Sequence, residues 1–219
     1  MRDEILSLLE NGDLSTSLLL EDQLRRATEF FRLRFQSLLG QDVKLHPFGF
    51  FYAQETLTTE KTLRFHLWPN GWTVPLQEQG RELHDHNYEL SSVIISGTLR
   101  HETFATKPVI QDGYDVYLTS YTSGSSELAR TNDVVTVEPD TNVSYSAGQM
   151  YRLSSGIVHR VTPQKTPAAT IVLTAKTKDA VPARVLIKSG SGSSQGFSRS
   201  LLTAEDERRA REALNGLQG

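Results

Sequence analysis

The sequence predicts an all-β core, an antiparallel sandwich or barrel, with helical segments at both of its ends. Short runs rich in Val, Ile, Thr and Tyr recur between turn residues from about 44 to 188. Helical patterns precede and follow these runs and do not alternate with them, as they would in a parallel sheet. The chain has no cysteine, which excludes disulfides and thiolate metal ligands.

The first 43 residues are predicted to be helical. Ile5, Leu8 and Leu9 form the apolar side of a short helix. Apolar residues three to four positions apart then predict a longer helix over about 20–39. Its phenylalanines make this helix too apolar for a free surface helix. We therefore expect the N-terminal segment, 1–43, to pack on the rest of the protein.

The core is expected to span 44–188 and to contain short strands separated by turn residues. The predicted strands are LRFHLW (63–68), LSSVIISG (90–97), YDVYLTSY (114–121), DVVTVE (133–138), QMYRL (149–153), IVHRV (157–161) and ATIVLTAK (169–176). Sequences such as PNG, QDG and EPDTN supply the breaks between them. Many short strands at this spacing are typical of antiparallel sandwiches and barrels.

The C-terminal segment, 189–219, is predicted to be a loop followed by a helix. The Gly/Ser stretch at 189–196 is typical of a flexible linker, and a loop that cradles an anion is the alternative. Thr203 with Asp206 three residues later predicts an N-terminal helix cap, and Gly216 ends the helix.

Composition excludes several classes of function. The 23 Lys and Arg residues against 26 Asp and Glu residues give a formal net charge of −3, without the basic surplus typical of nucleic-acid binding. No apolar run is long enough to span a membrane, and the N-terminal sequence is too charged for a signal peptide. We therefore expect a cytoplasmic protein without nucleic-acid or membrane partners.

Two of the six histidines form the sequence His84-Asp85-His86. Alternate residues of an extended strand share one face, so both imidazoles can point at one metal ion. Since the chain has no thiolate, a metal site must use histidines and carboxylates. The motif is short, and two solvent-facing histidines on a strand edge are the alternative interpretation.

Two segments resemble the motifs of the cupin superfamily, G-x5-H-x-H-x3/4-E-x6-G and G-x5-P-x-G-x2-H-x3-N. The matching positions are His84, His86 and Gly97 in the first motif, and Gly148, Gly156 and His159 in the second. The resemblance covers about 60–176 and implies a double-stranded β-helix, a jelly-roll barrel, with a metal held by His84, His86 and His159. The stretch 98–147 would be an insertion carrying strands, a lid, or both.

Leu90 stands where most cupins have a glutamate ligand, so three histidines remain. In having three histidines without the glutamate, and in the sequences around these histidines, the chain resembles the cysteine-dioxygenase group of non-haem iron cupins. The resemblance implies Fe(II), with Zn, Mn or Ni as alternatives, and open positions for a small-molecule substrate and O2. The Ser–His–Tyr trio of the thiol dioxygenases is replaced by Thr170, Val172 and Thr174, so cysteine is not the predicted substrate.

Further candidates lie near the metal motifs. Glu89 and His101 are candidates for a fourth ligand, although strand alternation turns Glu89 away from the metal. The candidate catalytic residues are Tyr88, His101 and Tyr151, since a tyrosine hydroxyl can donate a hydrogen bond to a bound oxygen species. For Glu89 and His101 the alternatives are a surface position or a position behind the metal ligands. For the two tyrosines the alternative is a purely structural role.

Arg64, His66 and Trp68 alternate along one face of a predicted strand whose other face is apolar. If the polar face points into the barrel, Arg64 can bind an anionic substrate and Trp68 can stack on it. If the apolar face points inward, all three side chains are merely exposed. The pattern alone leaves both orientations open.

Together these features predict a metal-dependent cupin, a non-haem Fe(II) dioxygenase that oxidises a small polar molecule, with thiol or amino-acid-like substrates among the options. One alternative is a non-redox isomerase or lyase that uses Zn, Mn or Ni on the same ligands. The other is a barrel that binds or senses a small molecule without catalysis. The resemblance to cupins also allows a homodimer.

Overall fold

The computed structural model describes residues 1–12, 19–122, 125–178, 181–190, 196–198 and 202–217. The helices are α1 (Arg2–Asn11), α2 (Glu21–Leu38) and α3 (Ala204–Asn215), and a single 3-10 turn covers Leu76–Glu78. The strands are β1 (Lys44–Leu45), β2 (Phe51–Thr56), β3 (Lys61–Trp68), β4 (Tyr88–Val109), β5 (Tyr114–Thr122), β6 (Ser125–Ser146), β7 (Met150–Leu153), β8 (Val158–Lys176), β9 (Arg184–Lys188) and β10 (Phe197–Ser198). Most of the predicted Gly/Ser linker, 191–195, lies outside the described residues.

The strands form one antiparallel sheet in the order β1-β2-β3-β8-β4-β6-β5-β9, with β7 on β4 and β10 on β6. Two isolated bridges pair His84 with His159 of β8 on one side and with Val185 of β9 on the other. Because these bridges join β8 to β9 through His84, they close the ring of β8, β4, β6, β5 and β9 into a barrel. The all-β core with flanking helices is confirmed.

The pairing of the long strand β4 with β8 is irregular around Gly97. The pairing register shifts three times between Ile94 and Leu99. Gly97 has φ +77°, and a Cβ at this position would lie 2.4 Å from the carbonyl oxygen of Lys165. Only glycine combines this conformation with so close a backbone approach. Before this irregularity β4 pairs with β7 as well as β8, and after it β4 pairs with β6 as well as β8.

The apolar face of β3 packs under the helices. Leu63, Phe65 and Leu67 are fully buried in the main core cluster. The ring of Phe31 in α2 lies 5.9 Å from that of Phe65 and 5.4 Å from that of Phe35. Residues of α1 and α3 join the same cluster: Ile5, Leu9, Ala210, Ala213 and Leu214. Since the apolar face of β3 is covered from outside, its polar face is turned to the barrel interior.

Several elements differ from the predicted strands. The two segments predicted at 157–161 and 169–176 are one continuous strand, β8, because the intervening residues stay paired with β4. The stretch 98–147 forms strands: the second half of β4, then β5 and β6. The strands β1, β2, β9 and β10 were not predicted. Among the described helices, none combines the length and apolarity that a bilayer crossing requires.

The predicted cap of the C-terminal helix is present, because the Thr203 hydroxyl accepts a hydrogen bond from the Asp206 amide at 3.1 Å. We expect Thr203→Ala to lower the free energy of unfolding by about 1 kcal/mol, since the Asp206 amide loses its acceptor. Urea denaturation measures the change. Thr203→Ser keeps the hydroxyl and serves as the control. Equal losses in both variants would contradict a role for the cap.

Candidate metal centre

Three histidines meet at the seam that closes the barrel. His84, His86 and His159 each offer one imidazole nitrogen, and these nitrogens lie within 4.8 Å of one another. Two backbone hydrogen bonds hold His84 opposite His159, with N···O distances of 3.2 and 2.9 Å. The Gly156 amide donates to the His86 carbonyl at 2.9 Å, which ties the third histidine to the turn before β8. The cluster is therefore positioned by the backbone of the barrel.

The two histidines of the His-x-His motif lie outside a regular strand. His84 forms the isolated bridges, and His86 lies in the irregular segment that leads into β4. Asp85 between them pairs through its backbone amide with the Arg184 carbonyl at 2.9 Å. This pairing keeps the segment extended, so the two imidazoles still converge as the sequence predicts.

Backbone carbonyls orient two of the three rings. Nδ1 of His84 lies 2.8 Å from the Glu82 carbonyl oxygen, and Nδ1 of His159 lies 3.2 Å from the Ile157 carbonyl oxygen. A carbonyl oxygen can only accept, so Nδ1 carries the proton in both rings. This tautomer leaves the Nε2 lone pair available for a metal, the arrangement that carbonyl partners give to metal-binding histidines.

The three imidazoles are also held in their neutral form. Burial lowers the pKa of His84 below its ordinary value. Burial, and next the neighbouring histidines of the cluster, lower the pKa of His86 and of His159 much further. A metal binds the neutral imidazole, so the cluster needs no deprotonation near pH 7 before it takes up an ion.

The donor set fits a divalent transition metal. Imidazole nitrogens suit Fe, Zn, Ni and Cu, and three protein ligands leave further coordination positions for other molecules. In the described part of the chain no carboxylate belongs to the cluster. Glu89, a candidate fourth ligand, is exposed, as its place in the alternation predicts.

A buried ion pair supports the ligand segment, and sequence reasoning missed it. Asp85 is 2% exposed and accepts hydrogen bonds from the backbone amide and Nε of Arg184 at 2.5 and 2.6 Å. The same guanidinium donates to the Gly156 carbonyl oxygen at 3.1 Å. Arg184 of β9 thereby connects the His84–His86 segment with the turn before His159.

The histidines open into a cavity of about 960 Å³ inside the barrel. Arg64, His66 and Trp68 line this cavity, so of the two orientations of β3 the inward one is present. Arg64 donates a hydrogen bond to the Tyr88 hydroxyl at 3.1 Å. The Tyr88 ring stacks on His86 with centroids 4.6 Å apart. The ring of Tyr88 thus lies between the Arg64 guanidinium and the candidate metal ligand His86.

His101 and Tyr151 lie on the other side of His159. The His101 ring is 5.5 Å from that of His159 and 4.5 Å from that of Tyr151. His101 is buried and does not join the three converging donors. Burial lowers its pKa to about 4, so the ring is neutral. Burial raises the pKa of Tyr151, which lines the cavity, to about 12, so this hydroxyl keeps its proton.

Comparison with solved structures finds distant similarities. Oxalate decarboxylase from Lactobacillus farciminis, in a formate complex, is 13% identical with a TM-score of 0.36, and the match covers 65% of this chain and 32% of that one. A cupin-like protein from Thermotoga maritima is 10% identical with a TM-score of 0.33 over 78% and 90% of the two chains. The hydroquinone 1,2-dioxygenase PnpCD, in complex with Cd2+ and 4-hydroxybenzonitrile, is 16% identical with a TM-score of 0.33 over 57% and 64%.

The chain spans about a third of the length of the oxalate decarboxylase it resembles. No family profile matches the chain, and neither does any curated protein sequence. At TM-scores below 0.5 the similarities assign no reaction to this chain.

Proposed function

We propose that the protein is a metal-dependent enzyme of the cupin type, a non-haem Fe(II) oxygenase that oxidises a small, anionic organic molecule. The observation that carries this proposal is the cluster of three neutral imidazoles, with donor nitrogens within 4.8 Å of one another, at the wall of a large internal cavity. Bound Fe(II) would supply the electrons that activate O2, which protein side chains cannot do. His84, His86 and His159 would hold it.

The other residues of the cavity have roles that follow from their contacts. Arg64 is placed to bind the anionic group of a substrate, because its guanidinium faces the cavity from β3. The Tyr88 hydroxyl, which accepts from Arg64, can donate its own proton to a ligand beside His86.

The oxygenase proposal requires Fe(II) with a free coordination position, and nitric oxide is a probe for such a position. We expect protein reconstituted anaerobically with Fe(II) to give a stoichiometric high-spin iron–nitrosyl signal in electron paramagnetic resonance. Because His86 is a proposed ligand and Tyr88 is not, His86→Ala is expected to lose the signal and Tyr88→Phe to keep it. An unchanged signal in His86→Ala, or none in the native protein, would contradict the proposal.

The donor set also favours a second candidate. Three neutral ligands leave the full positive charge on a divalent ion, which favours Lewis-acid catalysis by Zn, Mn or Ni in an isomerase or lyase. Such an enzyme would turn over its substrate without oxygen, whereas the oxygenase would consume O2. Parallel assays in air and under argon, with iron-loaded and zinc-loaded protein, separate the two.

A further inference from the structure

One side of the cavity is made of aromatic rings, which we call the aromatic wall: Phe48, Phe50, His66, Trp68 and Trp72. Phe50 lies at its centre, with its ring centroid 5.2 Å from that of His66 and 4.9 Å from that of Trp68. All of these side chains except Trp68 are partly exposed, so their rings can meet a ligand in the cavity. Burial, and next the positive charge of Arg64, lower the pKa of His66 to about 3, so this ring adds no charge.

The aromatic wall is fixed before any ligand arrives. Gly49, between Phe48 and Phe50, has φ +80°, and a Cβ there would lie 2.6 Å from the Thr73 carbonyl oxygen. Nε1 of Trp72 donates to the Phe48 carbonyl oxygen at 2.9 Å, which joins the two loops that carry the wall. A rigid wall of this kind lowers the entropy cost of binding a flat ligand.

The aromatic wall and the guanidinium of Arg64 flank the histidine cluster from two sides. The Phe48 ring lies 5.4 Å from that of His84. On the other side, Arg64 contacts Tyr88, which stacks on His86. Arg64 and His66 are alternate residues of β3, so their Cα atoms are about 7 Å apart on one face. A ligand that contacts both Arg64 and the aromatic wall would therefore lie beside the histidine cluster.

Arg64 also differs from the other arginines of the cavity. Arg160 is bound by both carboxylate oxygens of Glu102, at 2.9 and 3.0 Å, Arg100 lies 3.6 Å from the same carboxylate, and Arg184 is bound by Asp85. In the described part of the chain, Arg64 has no carboxylate partner, and its Nε lacks a hydrogen-bond acceptor. A largely enclosed cation without a counter-charge favours an anionic ligand.

We propose that the cavity selects a planar aromatic acid, with its ring against the aromatic wall and its carboxylate on Arg64. This substrate class rests on the proposed function for its chemistry, because the ligand would lie beside the histidine cluster. Flat rings gain edge and face contacts with aromatic side chains that aliphatic groups of the same size do not make. The volume of about 960 Å³ leaves room for substituents on the ring.

Both tryptophans of the chain line the cavity, so intrinsic fluorescence reports directly on its occupancy. We expect benzoate to bind at least about tenfold more tightly than benzamide, which has no charge, and than cyclohexanecarboxylate, which has no planar ring. Calorimetry provides the same comparison without relying on fluorescence. A cavity that binds cyclohexanecarboxylate as tightly as benzoate would overturn the proposal.

Two variants test the assigned contacts. Arg64→Gln is expected to weaken benzoate binding about tenfold or more and to leave benzamide binding unchanged. Lys176→Gln removes the same charge from an exposed residue lining the same cavity and is expected to change neither. Equal losses in both variants would mean general attraction of anions and would overturn the assignment to Arg64. Phe50→Leu, which keeps every charge, is expected to weaken benzoate but not acetate.

His84→Ala separates this proposal from the proposed function. If the variant loses its metal and keeps the preference for benzoate, the aromatic wall and Arg64 carry the selectivity, as proposed. If the preference disappears with the metal, benzoate binds through the metal alone and the inference is wrong, while the metal enzyme stands. A preference for benzoate in a native protein that takes up no metal would support the inference and contradict the proposed function.

Discussion

Replacing His84 with alanine is expected to abolish stoichiometric metal binding. Three imidazoles supply the donor set, and among the residues that the structure describes no carboxylate joins the cluster to replace the missing one. Loss of hydrogen-bond partners behind a ligand already costs about 10–100-fold in metal affinity, so loss of the ligand itself costs more. Elemental analysis of protein purified without oxygen and without added metal measures the effect directly.

His66→Ala is the matched control, because His66 is a neutral histidine of the same cavity that lies outside the converging donors. It is expected to retain the metal of the native protein. Equal metal content in the native protein and in His84→Ala would contradict the three-histidine site, and so would no metal in either after reconstitution. Iron would support the oxygenase proposal, whereas zinc, manganese or nickel would support the isomerase or lyase.

The convergence of the histidines could be predicted from the sequence because it depends on local geometry. Residues 84 and 86 share a face wherever the chain is extended, whether or not a regular strand forms. His159 could be placed only through the spacing of Gly148 and Gly156. The carbonyls that orient His84 and His159 belong to residues two positions earlier, and side-chain patterns carry no information about them.

The orientation of β3 could not be predicted from the sequence pattern. A strand with one apolar and one polar face fits a core on either side of the sheet. Phe65 packs against Phe31 of α2, so the apolar face of β3 is covered by helices outside the barrel. The opposite face, with Arg64, therefore lines the cavity. This choice depends on tertiary packing and was open in the sequence. The five-residue strand β9 was missed as well.

Asp85→Ala is expected to lower the free energy of unfolding by about 3 kcal/mol, because it leaves the Arg184 guanidinium without its buried counter-charge. The side chain of Asp85 is 1% exposed and that of Arg184 28%. Glu138→Ala breaks a pair with Lys107 of similar length, 2.9 Å, whose side chains are 56% and 67% exposed, and should cost less than about 1 kcal/mol. Urea denaturation of metal-free protein compares the two variants.

The same substitution is expected to weaken metal binding, because Arg184 holds both the segment of His84 and His86 and the Gly156 turn before His159. Loss of such support lowers metal affinity by about 10–100-fold. Titration with Zn(II) in competition with a chelator measures this, and Glu138→Ala should bind as the native protein does. If Asp85→Ala loses stability without metal but binds zinc normally, the ion pair stabilises the barrel seam and does not position the ligands. If zinc binding is weakened while the free energy of unfolding is unchanged, the ion pair only positions the metal ligands. Because Arg184 contacts both Asp85 and the Gly156 turn, we expect stability and zinc affinity to fall together.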